Sequence, residues 1–224
     1  MTELCIFDLD GTLLNTLGGI RYFLNLTLDR YGIPPLDEER VREFVGNGAS
    51  TLVERALRYS GIDTATERGG RLFAEVLREY VALYDSDPNY LTAVYDGIGD
   101  LLAALKARGV KLAILSNKPD STVVPLASLY FGNTFSYVSG AREGIALKPA
   151  PDAALRICAE LGVDAKNTVY IGDSEVDIRT AKAYGAGCAV GVLWGFRSRE
   201  ALVAEGADVI AATPADILTA LNTK

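Results

Sequence analysis

The sequence predicts an α/β fold, a doubly wound parallel sheet with an all-helical insertion, and three observations carry that prediction. Short apolar runs rich in β-branched or aliphatic residues, too brief for helices, recur at Leu4 to Phe7, Val110 to Leu115, Val169 to Ile171 and Cys188 to Leu193. Between the later runs lie helical patterns, Gly97 to Arg108, Pro149 to Leu161 and Ser174 to Tyr184. Strands that alternate with helices give a parallel sheet covered on both faces. From about residue 15 to residue 87 the alternation stops, and amphipathic helical segments follow one another with no convincing strand.

Taken in order, Leu4 to Phe7 is apolar at every position, as a strand buried on both faces must be. The insertion then reads as helices over Thr16 to Tyr31, Asp37 to Val45, Ala49 to Ser60 and Thr64 to Tyr84. Gly32 and Gly61 stand where a left-handed C-terminal residue belongs, Asp37 and Asp63 where an N-cap belongs, and Pro34, Pro35 and Pro88 punctuate the connections. Gly69-Gly70 is expected to weaken or bend the fourth helix. The insertion holds nine arginines, no lysine and twelve acids, a pattern expected of solvated helix faces. The domains expected are therefore a core of residues 1–14 and 88–224 and a helical domain of residues 15–87.

Composition excludes several classes of function. The net charge of −7, with no basic patch, argues against nucleic acid or an anionic membrane as a partner. Histidine is absent, which removes Ser-His-Asp triads, Cys-His dyads and histidine-ligated zinc. Cys5, Cys158 and Cys188 are odd in number and set among apolar neighbours, as expected of buried thiols in a reducing cytoplasm. The first residues carry carboxylates where a secretory signal would carry cations, and no apolar run approaches the ~18 to 20 residues that span a membrane.

In an open parallel sheet, ligands bind beyond the carboxyl ends of the strands. The first run ends at Asp8, followed by Leu9-Asp10-Gly11-Thr12-Leu13; the second ends at Ser116, followed by Asn117-Lys118-Pro119. A later one ends at Gly172-Asp173, followed by Ser174-Glu175-Val176-Asp177. Asp173 and Ser116 alone could be helix caps. Asp8 and Asp10, two apart in an extended chain, are expected to face one small volume. Asp173 and Asp177, four apart at a helix start, are expected to share a face. Carboxylates crowded at the end of a buried sheet need a cation among them. Without histidine or nearby thiolate, that cation is expected to be a hard ion, Mg²⁺. Magnesium commonly meets phosphate oxygens, so a small phosphorylated metabolite is the expected partner. Ser116 with helix-start N–H groups, and Lys148 before Pro149, are candidate phosphate ligands.

Asp8-Leu9-Asp10-Gly11-Thr12-Leu13-Leu14, Leu115-Ser116-Asn117, Lys148-Pro149 and Gly172-Asp173-Ser174-Glu175-Val176-Asp177, in that order, resemble the four motifs of the haloacid dehalogenase superfamily of aspartate-nucleophile phosphatases. The resemblance spans nearly the whole chain, and the insertion resembles that family's helical cap. Val45-Gly46-Asn47-Gly48 with Leu52 to Leu57, and Gly191-Val192-Leu193-Trp194-Gly195 with Gly206-Ala207-Asp208, are similar to its phosphoglycolate phosphatase group.

The resemblance implies that Asp8 is the nucleophile, forming an aspartyl phosphate, and that Asp10 is the acid and base for the leaving alcohol and the attacking water. Neighbouring carboxylates are expected to help keep Asp10 protonated before transfer. It further implies Mg²⁺ on Asp8, Asp173 and the Asp10 carbonyl, phosphoryl oxygens on Ser116, Asn117 and Lys148, and Asp177 and Thr12 supporting them. Gly11 and Thr12 would form a sharp turn after the nucleophile, and Asn47 and Gly48 in the helical cap are candidates to touch substrate. The expected reaction is hydrolysis of 2-phosphoglycolate or a similar metabolite by a cytoplasmic monomer or homodimer. A pyrophosphatase or sugar-phosphate phosphatase would use the same core residues. A phosphate-accepting signalling module also uses an aspartate with Mg²⁺, but the helical insertion and Asp10 argue against it.

Overall fold

The computed structural model describes residues 2–222. The chain divides into two compact units, Met1–Asn15 with Val94–Lys224, and Thr16–Ala93. In chain order, β1 (Leu4–Phe7) and β2 (Leu14–Asn15) precede four helices, α1 (Leu17–Arg30), α2 (Glu38–Phe44), α3 (Gly48–Tyr59) and α4 (Glu67–Ser86). Then come β3 (Ala93–Val94), α5 (Ile98–Ala107), β4 (Lys111–Pro119), α6 (Asp120–Phe131), β5 (Tyr137–Ala141) and α7 (Asp152–Leu161). The chain continues through β6 (Thr168–Gly172), α8 (Glu175–Tyr184), β7 (Cys188–Val192), α9 (Arg199–Ala204), β8 (Val209–Ala211) and α10 (Pro214–Asn222).

Six strands form one sheet in the order β5-β4-β1-β6-β7-β8, every neighbouring pair parallel. Alternation along each strand divides its side chains between two helical layers. Cys5, Phe7, Leu112, Ile114, Val169, Ile171 and Val190 pack with α5, α6 and α10, through residues such as Leu101, Val123 and Ile217. Leu4, Ile6, Ala113, Leu115, Tyr170 and Ala189 pack with α7, α8 and α9, through Ile157, Ile178 and Leu202. From β1 the chain adds strands on one side through β4 and β5, and on the other through β6, β7 and β8. The reversal places a crevice at the carboxyl ends of β1 and its neighbours.

The four expected strands are present, but the sheet's two edges, β5 and β8, have no counterpart in the sequence reading. Edge strands are covered less completely than central ones, and both carry several half-buried positions where β1 and β6 are buried throughout. They therefore lack the unbroken apolar run that marks a central strand. Helix α7 begins at Asp152 rather than Pro149, because Pro151 disfavours helical geometry at Ala150. Cys5, Cys158 and Cys188 are buried, and none of them is in a disulfide.

In the helical unit, Asp37 caps α2 by accepting from the Arg40 N–H at 2.8 Å. The cap of α4 is Thr66, which accepts from the Gly69 N–H at 3.1 Å, and not Asp63. Asp63 instead accepts from the Ala65 N–H at 3.0 Å, closing a turn before the helix. Gly69-Gly70 therefore falls in the first turn and does not interrupt the helix. No helix among the described residues is long and apolar enough to cross a membrane.

Candidate active site at the carboxyl edge of the sheet

β1 stops at Phe7, and Asp8 continues its ladder for one bond, its N–H donating to the Ile171 carbonyl at 2.9 Å. The chain then doubles back. The N–H groups of Thr12, Leu13 and Leu14 all donate to the Leu9 carbonyl, and Gly11 takes a φ of +83°, in the left-handed region that favours glycine. This is the sharp turn expected after Asp8. It also separates the two aspartates: strand alternation no longer applies past Phe7, so Asp10 does not join the carboxylates clustered around Asp8. Its oxygens instead meet Lys118 Nζ at 2.9 and 3.1 Å, a partner that sequence reasoning missed.

The cluster that does form is Asp8, Asp173 and Asp177, all buried, each offering a carboxylate oxygen within 4.8 Å of the other two. Asp173 leaves the end of β6, while α8 begins at Glu175, so Asp173 and Asp177 do not share a helix face as expected. The helix is capped at Ser174, whose N–H and hydroxyl donate to Asp177 Oδ2 at 3.1 and 2.6 Å. Asp177 Oδ1 faces Lys148 Nζ at 2.7 Å and the Tyr170 hydroxyl at 3.4 Å. Both oxygens of Asp177 are thereby engaged by protein donors, and its immediate work is to anchor Lys148.

Lys148 is buried and bridges Asp177 to Asp8, whose Oδ1 lies 3.0 Å from Nζ. Its backbone is clamped by Asn117: the Lys148 N–H donates to Asn117 Oδ1 at 2.8 Å, and Asn117 Nδ2 donates to the Lys148 carbonyl at 3.1 Å. The Lys148-Pro149 peptide is cis. Asn117, read from sequence as a phosphate ligand through its N–H, thus spends its side chain on holding Lys148. Ser116 is buried at the same sheet edge, and its Oγ accepts from the Lys118 N–H at 3.2 Å. That contact closes a local turn rather than capping α6, which starts at Asp120.

Asp173 is fixed through both oxygens. Thr12 Oγ1 donates to Oδ1 at 3.2 Å, and the Phe196 N–H donates to Oδ2 at 2.7 Å. Trp194 Nε1 in turn donates to the Thr12 carbonyl at 3.0 Å, tying the loop after β7 to the turn after β1. Neither Phe196 nor Trp194 was among the site residues expected from sequence. Asn47 and Gly48 belong to the helical unit, at the start of α3.

Burial dominates the electrostatics. It pushes the Asp8 carboxyl up to about 7, with Asp177 adding to the rise and Lys148 opposing it. Asp173 is driven well above the ordinary carboxylate range by burial and by Asp177 and Asp8, while the Phe196 N–H and Arg197 pull it back. Burial draws the Lys148 ammonium down, but Asp177 and Asp8 together raise it well above its usual value. One ammonium among three buried carboxylates leaves excess negative charge in a desolvated place, and a set made only of oxygen donors suits a hard divalent cation. The residues present fit such an ion.

A family model described as haloacid dehalogenase-like hydrolase matches residues 2–185. The phosphoglycolate phosphatase of Pectobacterium atrosepticum is 34% identical over 95% of this chain and 89% of its own length. That of Rhodospirillum rubrum is 36% identical over 92% of this chain and 86% of its own. A crystal structure from Haemophilus somnus 129pt, described as a predicted phosphoglycolate phosphatase, has a TM-score of 0.88 with 29% identity, covering 98% of each chain. The chain belongs to the haloacid dehalogenase-like hydrolases and is a phosphoric monoester hydrolase of that family, similar to phosphoglycolate phosphatases.

Proposed function

We propose that the protein is a Mg²⁺-dependent phosphomonoesterase that works in the cytoplasm through an aspartyl-phosphate intermediate, on 2-phosphoglycolate or a similar small metabolite. The observation that carries this reading is Asp8, buried at the end of β1 with Lys148 at 3.0 Å and Asp173 beside it. The hydrogen bond from the Leu9 N–H and the Lys148 contact both fall on Asp8 Oδ1. Oδ2 is accordingly the oxygen assigned to attack phosphorus. As the Asp8–phosphorus bond forms, the bond from phosphorus to the ester oxygen breaks, and Asp10 gives that oxygen a proton. Asp10 then takes a proton from the water that attacks phosphorus, the bond to Asp8 breaks, and inorganic phosphate leaves. Lys148 balances charge growing on the phosphoryl oxygens, with Ser116 and the Asn117 N–H as further donors. Asp8 and Asp173, with the Asp10 carbonyl, would hold Mg²⁺, which when bound offsets repulsion between carboxylate and phosphate. Asp177 holds Lys148 in place, and Thr12 holds Asp173.

The substrate assignment rests on the names of the relatives. The test is phosphate release from a panel containing 2-phosphoglycolate, sugar phosphates and inorganic pyrophosphate, with Mg²⁺, after its removal by chelation, and after its return. Repeated turnover that is highest on 2-phosphoglycolate, lost on chelation and restored by Mg²⁺, is expected. Asp8→Asn should reduce it to background. Faster hydrolysis of pyrophosphate would overturn the substrate, and a single phosphate released per chain would overturn the hydrolase reading.

A further inference from the structure

Trp194 is the only tryptophan in the chain, and no step of the aspartyl-phosphate chemistry uses its side chain. It stands in the loop after β7, which is pinned at both ends. The Leu193 N–H donates to the Ala211 carbonyl of β8 at 3.0 Å, and Arg197 Nε donates to Glu175 Oε2, on the first residue of α8, at 2.9 Å. The indole itself packs against the buried cluster on the face of α5, α6 and α10. From this anchored loop Asp173 is held in two ways. Phe196 donates its N–H directly to Oδ2, while Trp194 acts through the turn after β1, its Nε1 donating to the carbonyl of Thr12, whose hydroxyl holds Oδ1. The contacts close a ring, from Trp194 to Thr12 to Asp173 to Phe196 and back along the loop. Little slack exists inside it: a Cβ on Gly11 would lie 2.4 Å from Asp173 Oδ2 and 2.8 Å from the Phe196 ring.

We propose that Trp194 is a positioning residue for metal selectivity: by tying the Thr12 carbonyl to the core, its indole N–H keeps Asp173 at one setting and biases the site toward Mg²⁺ against the larger Ca²⁺. Magnesium demands near-ideal octahedral ligands at ~2.0 to 2.1 Å, whereas Ca²⁺ accepts irregular sets at ~2.3 to 2.6 Å. Selection between them therefore depends on how far each ligand can yield. A carboxylate clamped through both oxygens resists the retreat of ~0.3 to 0.5 Å that the larger ion requires, and one released on a single side does not. The turn that Trp194 anchors also carries the Asp10 carbonyl, so one hydrogen bond steadies two of the proposed ligands together. Such supporting contacts tune a metal site as its direct ligands do. This rests on the reading that Asp8, Asp173 and the Asp10 carbonyl hold a divalent ion, and adds what makes the site prefer a small one.

The test is calorimetric titration of the metal-stripped protein with Mg²⁺ alone and with Ca²⁺ alone, in wild type and in Trp194→Phe, which keeps an aromatic ring and removes the N–H. The ratio of the two dissociation constants is the quantity read. Trp194→Phe should weaken Mg²⁺ about 10-fold and Ca²⁺ by less than about 3-fold, moving the ratio several-fold toward Ca²⁺. The Mg²⁺ concentration giving half-maximal phosphate release should rise in step with the calorimetric value. Because the chain has a single tryptophan, replacing it with benzothienylalanine exchanges that one N–H for sulfur and keeps the fused ring. This second variant carries the same comparison should Trp194→Phe fail to fold by circular dichroism. Both ions weakened alike, or neither weakened, would overturn the proposal with the metal reading intact, leaving the loop as structural support. A wild type that binds neither ion would take down the metal reading and the proposal together.

Discussion

In the sheet unit, Lys148 meets Asp8 at 3.0 Å and Asp177 at 2.7 Å with its side chain 2% exposed; in the helical unit, Arg71 meets Glu67 at 3.3 Å with side chains 70% and 85% exposed. Distance hardly separates the two cases, but solvent does. Water screens the helical pairs, and their partners lose rotamer freedom for little gain, so exposed pairs contribute next to nothing. Around Lys148 the charges have already lost their hydration, and each is held in place because the others are there. Most arginines of the insertion thus serve as solvated helix faces, in pairs such as Arg71–Glu67 and Arg58–Glu54, while the half-buried Arg55 donates to the Phe44 carbonyl at 2.9 Å. The few charges at the sheet edge are those we propose to act on a substrate. Position in the fold, rather than the number of charged residues, separates chemistry from solubility.

The sharpest way to break that contrast is Lys148→Met, which removes the ammonium while keeping bulk. Asp8 and Asp177 would then face each other uncompensated, a change expected to cost ~3 to 5 kcal/mol in urea unfolding. Uptake of a proton by Asp8, already pushed up to about 7, would soften that loss. Phosphate release should fall by about 10²- to 10³-fold. Adding Asp177→Asn to the same variant removes the second unpaired charge, and should recover part of the stability but none of the activity. Wild-type stability in the single variant would show that the buried charges are no more interdependent than the exposed ones.

Gly195→Ala acts on the same edge without changing any charge. A Cβ at this position would lie 2.3 Å from Asp173 Cβ and 2.5 Å from both Asp173 Oδ2 and the Gly11 carbonyl oxygen, too close for any of them to stay in place. Asp173 must move, so the Mg²⁺ concentration giving half-maximal activity should rise roughly 10-fold, with a matching loss of affinity by calorimetry. An unchanged Mg²⁺ midpoint would show that Asp173 tolerates displacement and that the tight packing around it has no part in metal binding.

What the sequence revealed and what it hid follow from how far apart the interacting residues lie. Asp8, Ser116 and Asp173 were legible because each ends or follows an apolar run, and a strand buried on both faces leaves few other places for a polar residue. The partners of those residues were not legible. Thr12 reaches Asp173 across 161 positions, Lys118 reaches Asp10 across 108, and Phe196 contributes only a main-chain N–H that any residue would supply. Asp177 was read as a neighbour of Asp173 by spacing, and their carboxylates do come within 4.8 Å, but the spacing gave no sign of its ion pair with Lys148, which lies 29 positions away. Local periodicity locates the ends of elements, while the pairing of those ends is decided by loops whose course has no period to read.

The smallest expected effect tests the other side of the contrast. Arg71→Ala removes a cation four residues from Glu67 in the first turns of α4. Glu67 sits near the positive end of the helix dipole and is favoured there with or without the arginine. Alanine is also at least as good a helix former as the residue it replaces, which offsets the lost pair. The net change in unfolding free energy should stay below ~0.5 kcal/mol and shrink further in high salt. Lys148→Met, by contrast, should keep most of its penalty in the same salt, because counterions do not enter its buried surroundings. If the arginine variant lost stability on the scale of the lysine variant, or if salt rescued both equally, exposure would not be the variable that separates the two units' charges.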